Sequence, residues 1–339
     1  MANNKIIDLF CGCGGMSKGF EMAGFKVVFA IDSWDDAIET YNKNIPGNVG
    51  VVSDIYNFSE KAASKLKDIT GIIGGPPCQG FSTVGKRDVH DVRNQLYLQY
   101  FRIVKAINPS FFVLENVRGM LTLEDGAFLK NVLSVFKSLG YRVNFSILNA
   151  ADYGVPQNRN RVFFVGLKDV DFVFPKPHKQ KVTTKEALDD LPRLDETAIQ
   201  QYRHDPENLY QQYVRGNSEF PHNNEPTIHS QQTIDIISRI PDGGGIFDLP
   251  AEFWAVRHYN KSFERMKSDG QSNTIDTGHR NYFLYSENRI PTVREAARIQ
   301  SFQDDFIFTG SRTSQYKQVG NAVPPLLAYS IAKEIKKYL

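Results

Sequence analysis

Short apolar runs alternate with helix-periodic stretches through the first half of the chain, and this alternation constrains the fold more than any other feature. Runs at residues 5–10, 26–31, 49–52, 70–73, 110–114, 142–148 and 161–167 read as strands. The intervals near 17–23, 34–44, 97–107 and 127–139 carry apolar residues at helical spacing. Such alternation predicts an α/β fold: a doubly wound, mostly parallel seven-stranded sheet with helices on both faces. With 339 residues and 41% hydrophobic content, the chain can bury that core and still build a second domain.

After residue 168 the alternation stops. Pro, Asn, Gln and Tyr become frequent, and six of the seven histidines lie beyond residue 175. Asp242-Gly243-Gly244-Gly245 predicts an exposed turn. Residues 323–339 read as a helix introduced by Gly320-Asn321 and Pro324-Pro325, returning to the first domain. The expected division is therefore one domain from 1–174 with 305–339, and a smaller irregular domain with its hinge over 175–304.

Several function classes fall away. The net charge is only +2, so a nucleic-acid partner is not announced by overall charge and any basic surface has to be local. No run of about 18 apolar residues exists, so no membrane span is expected. The amino terminus lacks a signal-peptide pattern. Cys11 and Cys13 are too close for an easy disulfide, and with Cys78 they form no zinc spacing. A reducing cytoplasm fits, and no metal is expected.

In a doubly wound sheet, ligands bind beyond the carboxyl ends of the strands. Unusual residues stand just past each expected strand. Phe10-Cys11-Gly12-Cys13-Gly14-Gly15 comes after the first, Asp32 after the second and Asp54 after the third. Gly74-Gly75-Pro76-Pro77-Cys78-Gln79 comes after the fourth, and Glu115-Asn116-Val117 after the fifth. A glycine-rich turn lets a ligand approach the backbone, and an acid 20 residues on can hold ribose hydroxyls. Ser17 stands where a dinucleotide fingerprint has its third glycine. Each acid alone could be a cap or turn residue; together on one rim they favour an adenosine-containing cofactor. Cys78, between two prolines and a polar run, is a candidate nucleophile rather than a core-filling thiol. Glu115 can serve as an acid toward a ring nitrogen, or as an ion-paired rim carboxylate. Arg159 and Arg161, at i and i+2, are expected to point the same way, toward a base, the Glu115 carboxylate or a phosphate, unless they are plain surface charge.

These motifs, in this order, resemble the DNA (cytosine-5) methyltransferases of bacterial and phage restriction–modification systems. The resemblance covers almost the whole chain. It includes Asp8 to Gly15, Gly74 to Ser82, Glu115-Asn116-Val117, Gln157-x-Arg159-x-Arg161, Thr292 to Gln300 and Gln318 to Pro325. It implies an S-adenosylmethionine-dependent methyltransferase fold with a smaller target-recognition domain. Carried over residue by residue, it implies that Phe10, Gly12, Gly14 and Gly15 contact S-adenosyl-L-methionine. Asp32 would hold its ribose, with Ser33 beside it, and Asp54 with Ile55 its adenine. Pro77, Leu96, Asn321 and Val323 would complete that pocket. Cys78 would attack carbon 6 of a flipped cytosine, held by Glu115 and Arg161 with Arg159 nearby. The segment from Arg294 to Gln300 would tie the two domains together.

The family usually has Glu where Asp32 stands, and Ser33 fills a place often taken by a larger residue, so the details of adenine packing differ. Cys11 and Cys13 are expected to be small packing residues. Double-stranded DNA is the expected substrate, lying between the domains. Gln79, Ser82, Lys86 and Arg87 of the loop after Cys78 would touch it. Arg257, His258, Lys261 and Arg265 form a local basic cluster for target reading, or a solvated helix face. A monomer in the cytoplasm of a bacterium or phage-infected host is expected, with a possible partner endonuclease. The tRNA-modifying branch typically has a Cys-Phe-Thr triplet that this chain lacks.

Overall fold

The computed structural model describes residues 4–77, 96–194, 201–256, 263–278 and 282–339. Seven strands form one sheet: β1 (Lys5–Leu9), β2 (Lys26–Asp32), β3 (Gly50–Val52), β4 (Gly71–Gly74), β5 (Phe111–Val117), β6 (Tyr141–Asn149) and β7 (Asn160–Lys168). Their order is β3-β2-β1-β4-β5-β7-β6. The first five run parallel, and β7 enters antiparallel between β5 and β6. Helices α1 (Gly15–Met22), α2 (Asp35–Asn44), α3 (Glu60–Ala63), α4 (Leu96–Ile107) and α5 (Ala127–Ser138) alternate with the strands.

The central strands are buried on both faces, which is why they read as unbroken apolar runs. Ile6, Ile7, Ile72, Ile73 and Phe111 through Leu114 are all sealed from solvent. Phe112 stacks on Phe136 of α5 with ring centroids 4.0 Å apart. The Tyr100 hydroxyl of α4 donates to the backbone oxygens of Ile72 and Val113 at 3.0 and 2.8 Å, fixing that helix over β4 and β5.

The chain divides into two compact units. The first comprises 1–149, 160–177 and 327–339; the second comprises 150–159 and 178–326. This is a division by packing, whereas the expected domains are a division by role, and the two assign 150–159, 175–177 and 305–326 differently. The second unit has short helices α6 (Thr184–Leu188), α7 (Leu209–Arg215), α8 (Gln231–Arg239), α9 (Val293–Ile299) and α10 (Arg312–Asn321), and the two-residue strands β8 (Glu264–Arg265) and β9 (Tyr282–Phe283). The last helix, α11 (Pro325–Ile335), begins at the end of this unit.

The structure corrects one sequence expectation about elements and bears out another. Strand β5 does not stop at residue 114 but runs through Val117, because Asn116 and Val117 continue the ladder with Val162 and Arg161 of β7. Glu115 is thus a strand residue. The helix expected over 323–339 forms as α11 from Pro325 to Ile335, closed by a 3-10 turn at Lys336–Tyr338; before it, Gly320-Asn321 end α10 and Ala322 is extended (ψ 148°). The residue before a proline is pushed out of the helical region, and Ala322-Val323 lead into a double proline. The tail beyond does pack on the first unit: Leu327, Ile331 and Ile335 are buried, and the Tyr338 hydroxyl accepts from the Val173 amide at 3.1 Å. The turn at Asp242 forms as expected, with Gly243 at φ +71° and the Gly244 amide on the Pro241 carbonyl.

Candidate active site

Strand register aligns the functional residues. Ile31, Leu9, Gly74 and Leu114 are consecutive partners across β2, β1, β4 and β5. The next residue on each strand therefore stands on one rim: Asp32, Phe10, Gly75 and Glu115. Asp32 and Glu115 are three strand spacings apart, roughly 14 Å. That is too far to act on one small group, and it leaves room for a cofactor and a second reactant side by side.

At the β1 end the chain turns sharply. Phe10 has φ +60°, a region that costs a residue with a side chain about 1–3 kcal/mol. Gly12 and Gly14 follow at φ +51° and +96°. Asp32 clasps this turn: its two carboxylate oxygens accept from the Gly12 amide at 2.9 Å and the Trp34 amide at 3.0 Å. Burial raises the Asp32 carboxyl above its usual range, and the Gly12, Trp34 and Ser33 amides oppose that rise. Each carboxylate oxygen keeps acceptor capacity for a hydroxyl. Nothing lies within 4 Å of where a Gly12 Cβ would be, so space opens directly over the turn. Ser33 is exposed and Trp34 half-buried beside it. Asp54 at the β3 end accepts from the Tyr56 amide at 2.9 Å and caps a short turn that buries Ile55. Arg102 of α4, which the sequence did not mark, holds that turn by donating to the Ile55 and Phe58 carbonyls at 3.1 and 2.8 Å. An open glycine turn with a carboxylate that keeps acceptor capacity beside it suits an adenosine-bearing cofactor.

Cys11 and Cys13 are buried thiols. Burial pushes Cys13 up to about 12 and Cys11 well above its ordinary range, with Asp8 and Asp32 adding to the rise, so neither supplies a thiolate near neutral pH.

Two residues join β5 to the loop after β4. Asn116 is buried, donates to the Pro76 carbonyl at 3.0 Å and accepts the Val117 amide at 2.8 Å. Glu115 lies over Gly75: a Cβ there would stand 2.9 Å from Glu115 Oε2. Residues before Cys78 are thereby fixed against the carboxylate. Pro77 is half-buried at the end of this described stretch. Cys78, Gln79, Ser82, Lys86 and Arg87 lie outside the described residues, as do Arg257, His258 and Lys261.

Arg161 pairs with Val117 in the β5–β7 ladder, which sets its side chain diagonally across from Glu115 on the same face. Its Nε meets Glu115 Oε1 at 3.0 Å, and both side chains are mostly buried. Burial lowers the guanidinium from its ordinary value and Glu115 offsets part of that; an arginine stays charged regardless.

Arg159 departs from expectation. It does not share the role of Arg161. It is sealed from solvent, and its terminal nitrogens donate to the carbonyls of Ile275 and Gly320 at 3.0 and 2.7 Å. Residues 157–160 lead into the strand as an irregular segment, so the i and i+2 rule for strands fails there. Gln157 completes the clamp, donating to the Ile299 carbonyl and Gln300 Oε1 and accepting from the Ile275 amide. Asp276 passes so close to Gly320 that a Cβ would stand 2.4 Å from its carbonyl oxygen. Only glycine permits that approach. Asn321 and Val323 follow at the end of α10, within the second unit.

Three further basic residues are also structural. Arg265 is buried on β8 and donates to the Ile237 and Leu284 carbonyls and Asn288 Oδ1, so it is no DNA-facing surface charge. Within Arg294–Gln300, Arg294 donates to the His222, Gln303 and Phe306 carbonyls, and Arg298 binds Asp190 and Asp304. These contacts lie inside the second unit.

Fold and rim define an α/β methyltransferase built on a seven-stranded, mostly parallel sheet. The chain belongs to the C-5 cytosine-specific DNA methylase family, whose model matches residues 4–337. It is 38% identical to the type II methyltransferase M.DdeI of Desulfomicrobium norvegicum, over 98% of this chain and 89% of that protein. It is 36% identical to M1.HphI of Haemophilus parahaemolyticus, over 98% and 86%. Among solved structures, a DNA modification methyltransferase encoded within an E. coli prophage superposes with a TM-score of 0.83 at 27% identity, covering 98% of both chains. The chain is accordingly a DNA cytosine-5 methyltransferase of restriction–modification type, and S-adenosylmethionine is its methyl donor. No described helix is long and apolar enough to cross a membrane.

Proposed function

We propose that the chain methylates carbon 5 of a cytosine turned out of a short duplex recognition site, through a bond between Cys78 and carbon 6. The observation that carries this reading is the Glu115–Arg161 pair, held over Gly75 and tied by Asn116 to the loop that leads into Cys78. A carboxyl poised beside a nucleophile loop suits a pyrimidine ring: proton donation to nitrogen 3 makes carbon 6 electrophilic. Arg161 orients the carboxyl and offers further donors to the base oxygen.

The Cys78 thiolate adds to carbon 6, and the electron pair released into the ring makes carbon 5 nucleophilic. S-adenosylmethionine supplies an electrophilic methyl group. Loss of the carbon-5 proton to a base then expels the thiolate and restores the aromatic ring. The target atom is inaccessible inside a duplex, so the cytosine must leave the stack, at about a few kcal/mol. Phe10, Gly12, Gly14, Gly15, Asp32, Asp54 and Ile55 hold the cofactor in this reading. Arg159 positions the 272–278 segment rather than the base. Such methylation would protect host DNA from a cognate endonuclease.

The test is transfer of labelled methyl to mixed duplex DNA, with Cys78→Ala as control and tRNA in parallel. Label on DNA cytosine that disappears in the variant is expected. Label confined to tRNA would overturn the substrate reading.

A further inference from the structure

Beneath the glycine turn, three buried polar side chains from three different elements are joined in a row. Asp8 sits on β1, Ser17 on α1 and Tyr41 on α2. Ser17 Oγ donates to Asp8 Oδ2 at 2.6 Å and shares a hydrogen bond of 2.7 Å with the Tyr41 hydroxyl. None is more than 1% exposed. Their neighbours on the same faces of these elements are apolar: Ile6 on β1, Phe20 on α1 and Ala37 on α2 are all sealed.

Buried polar groups cost desolvation, and well-packed apolar residues hold a helix to a sheet at least as firmly. Adhesion alone therefore does not explain this hydrogen-bonded row; its placement does. Asp8 lies two residues before the strained Phe10, and Ser17 two residues after Gly15. The Tyr41 ring occupies the place of a Gly14 side chain, its carbon 2.9 Å from where the Cβ would be. The Phe10–Gly15 turn is thus gripped at its entry, its exit and its underside. Hydrogen bonds fix direction and register where apolar contacts allow sliding.

We propose that the Asp8–Ser17–Tyr41 row is a positioning element for the cofactor turn, and that it sets the affinity for S-adenosylmethionine without touching it. The inference rests on the reading that this turn holds the cofactor. A turn held in its binding shape binds without first being ordered, whereas a loosened turn loses affinity in proportion to its competent fraction. Chemistry at saturating cofactor, and DNA binding, should be little affected.

The experiment is titration of the full-length protein with S-adenosylmethionine by calorimetry, followed by steady-state kinetics. It compares wild type, Ser17→Ala and Tyr41→Phe; the second variant keeps the ring under Gly14 and removes only the hydroxyl. Ser17→Ala is expected to raise the cofactor Kd and KM about tenfold, and Tyr41→Phe several-fold. The kcat at saturating cofactor and the KM for DNA should stay within about twofold. Unchanged cofactor Kd in both variants would overturn the inference. So would a fall in kcat and DNA binding that tracks a lowered Tm, which is the pattern of simple core damage. Wild-type protein that binds no S-adenosylmethionine would instead remove the cofactor reading itself.

Discussion

The two compact units are held together by different physics. The first is an apolar sheet core with its polar residues gathered on one rim. The second has short helices and two-residue strands, and buried guanidinium groups bind its loops. Arg294 caps three carbonyls, Arg298 bridges Asp190 and Asp304, and Arg289 bridges Glu287 and Glu295. A regular sheet satisfies its own backbone; irregular chain does not, and its buried carbonyls need donors from elsewhere. Arginine brings five donors on one planar head, which suits that task. Catalysis needs fixed atoms at a rim, which a sheet supplies. A region that varies in shape can instead be stapled by arginine.

Four measurements break or sharpen this contrast, from largest effect to smallest. Cys78→Ala should reduce methyl transfer by about 10³-fold or more while cofactor binding persists. Residual activity near wild type would move the nucleophile elsewhere. Glu115→Gln should lower kcat by about 10²–10⁴-fold, the usual range for a lost proton donor, with cofactor Kd unchanged in calorimetry. Arg298→Ala should destabilise by about 3–5 kcal/mol in urea, because Asp190 and Asp304 are left charged and buried. Hydrogen exchange should localise that loss to the second unit; a loss shared equally by both units would break the contrast.

The fourth is pH dependence, where the units should differ in sign. Burial raises the Asp304 carboxyl, but Arg298 and Arg294 outweigh that and hold it below the usual range. Its contribution is present above the unfolded value of 3.8 and lost as pH falls through the lower folded value, so the second unit should open first in acid. Burial drives Asp8 the other way, to about 8 from 3.8, against the opposing Ser17 hydrogen bond and with a smaller rise from Asp32. The folded state keeps that proton while the unfolded chain has lost it. Stability therefore falls as pH rises from about 4 to 8 and levels off above. Asp8→Asn should flatten this slope in melts across that window; an unchanged slope would place the titration elsewhere.

The sheet was legible because its strands are buried on both faces and bounded by glycine, proline and acids. The rim residues Phe10, Asp32, Gly75 and Glu115 were legible because strand ends collect them. The second unit was not: helices α6 to α8 have only five to nine residues, too short for a periodic signal. Its arginines misled for a physical reason. A guanidinium that binds backbone carbonyls looks, in sequence, the same as one that meets a phosphate. Arg159 and Arg265 are the instances, and only the location of Ile275, Gly320 and Ile237 tells them apart. Asn116 carried a signal that went unread, since a buried amide at a strand end beside a proline loop is well placed to anchor that loop.

The most direct test of the covalent route uses a duplex in which the target cytosine carries fluorine at carbon 5. Attack at carbon 6 and methyl transfer then leave no proton to remove, and the protein should stay bonded to the DNA. A band shifted on a denaturing gel, dependent on S-adenosylmethionine and absent in Cys78→Ala, is the predicted result. Efficient methylation of ordinary DNA with no such band would contradict a bond through Cys78.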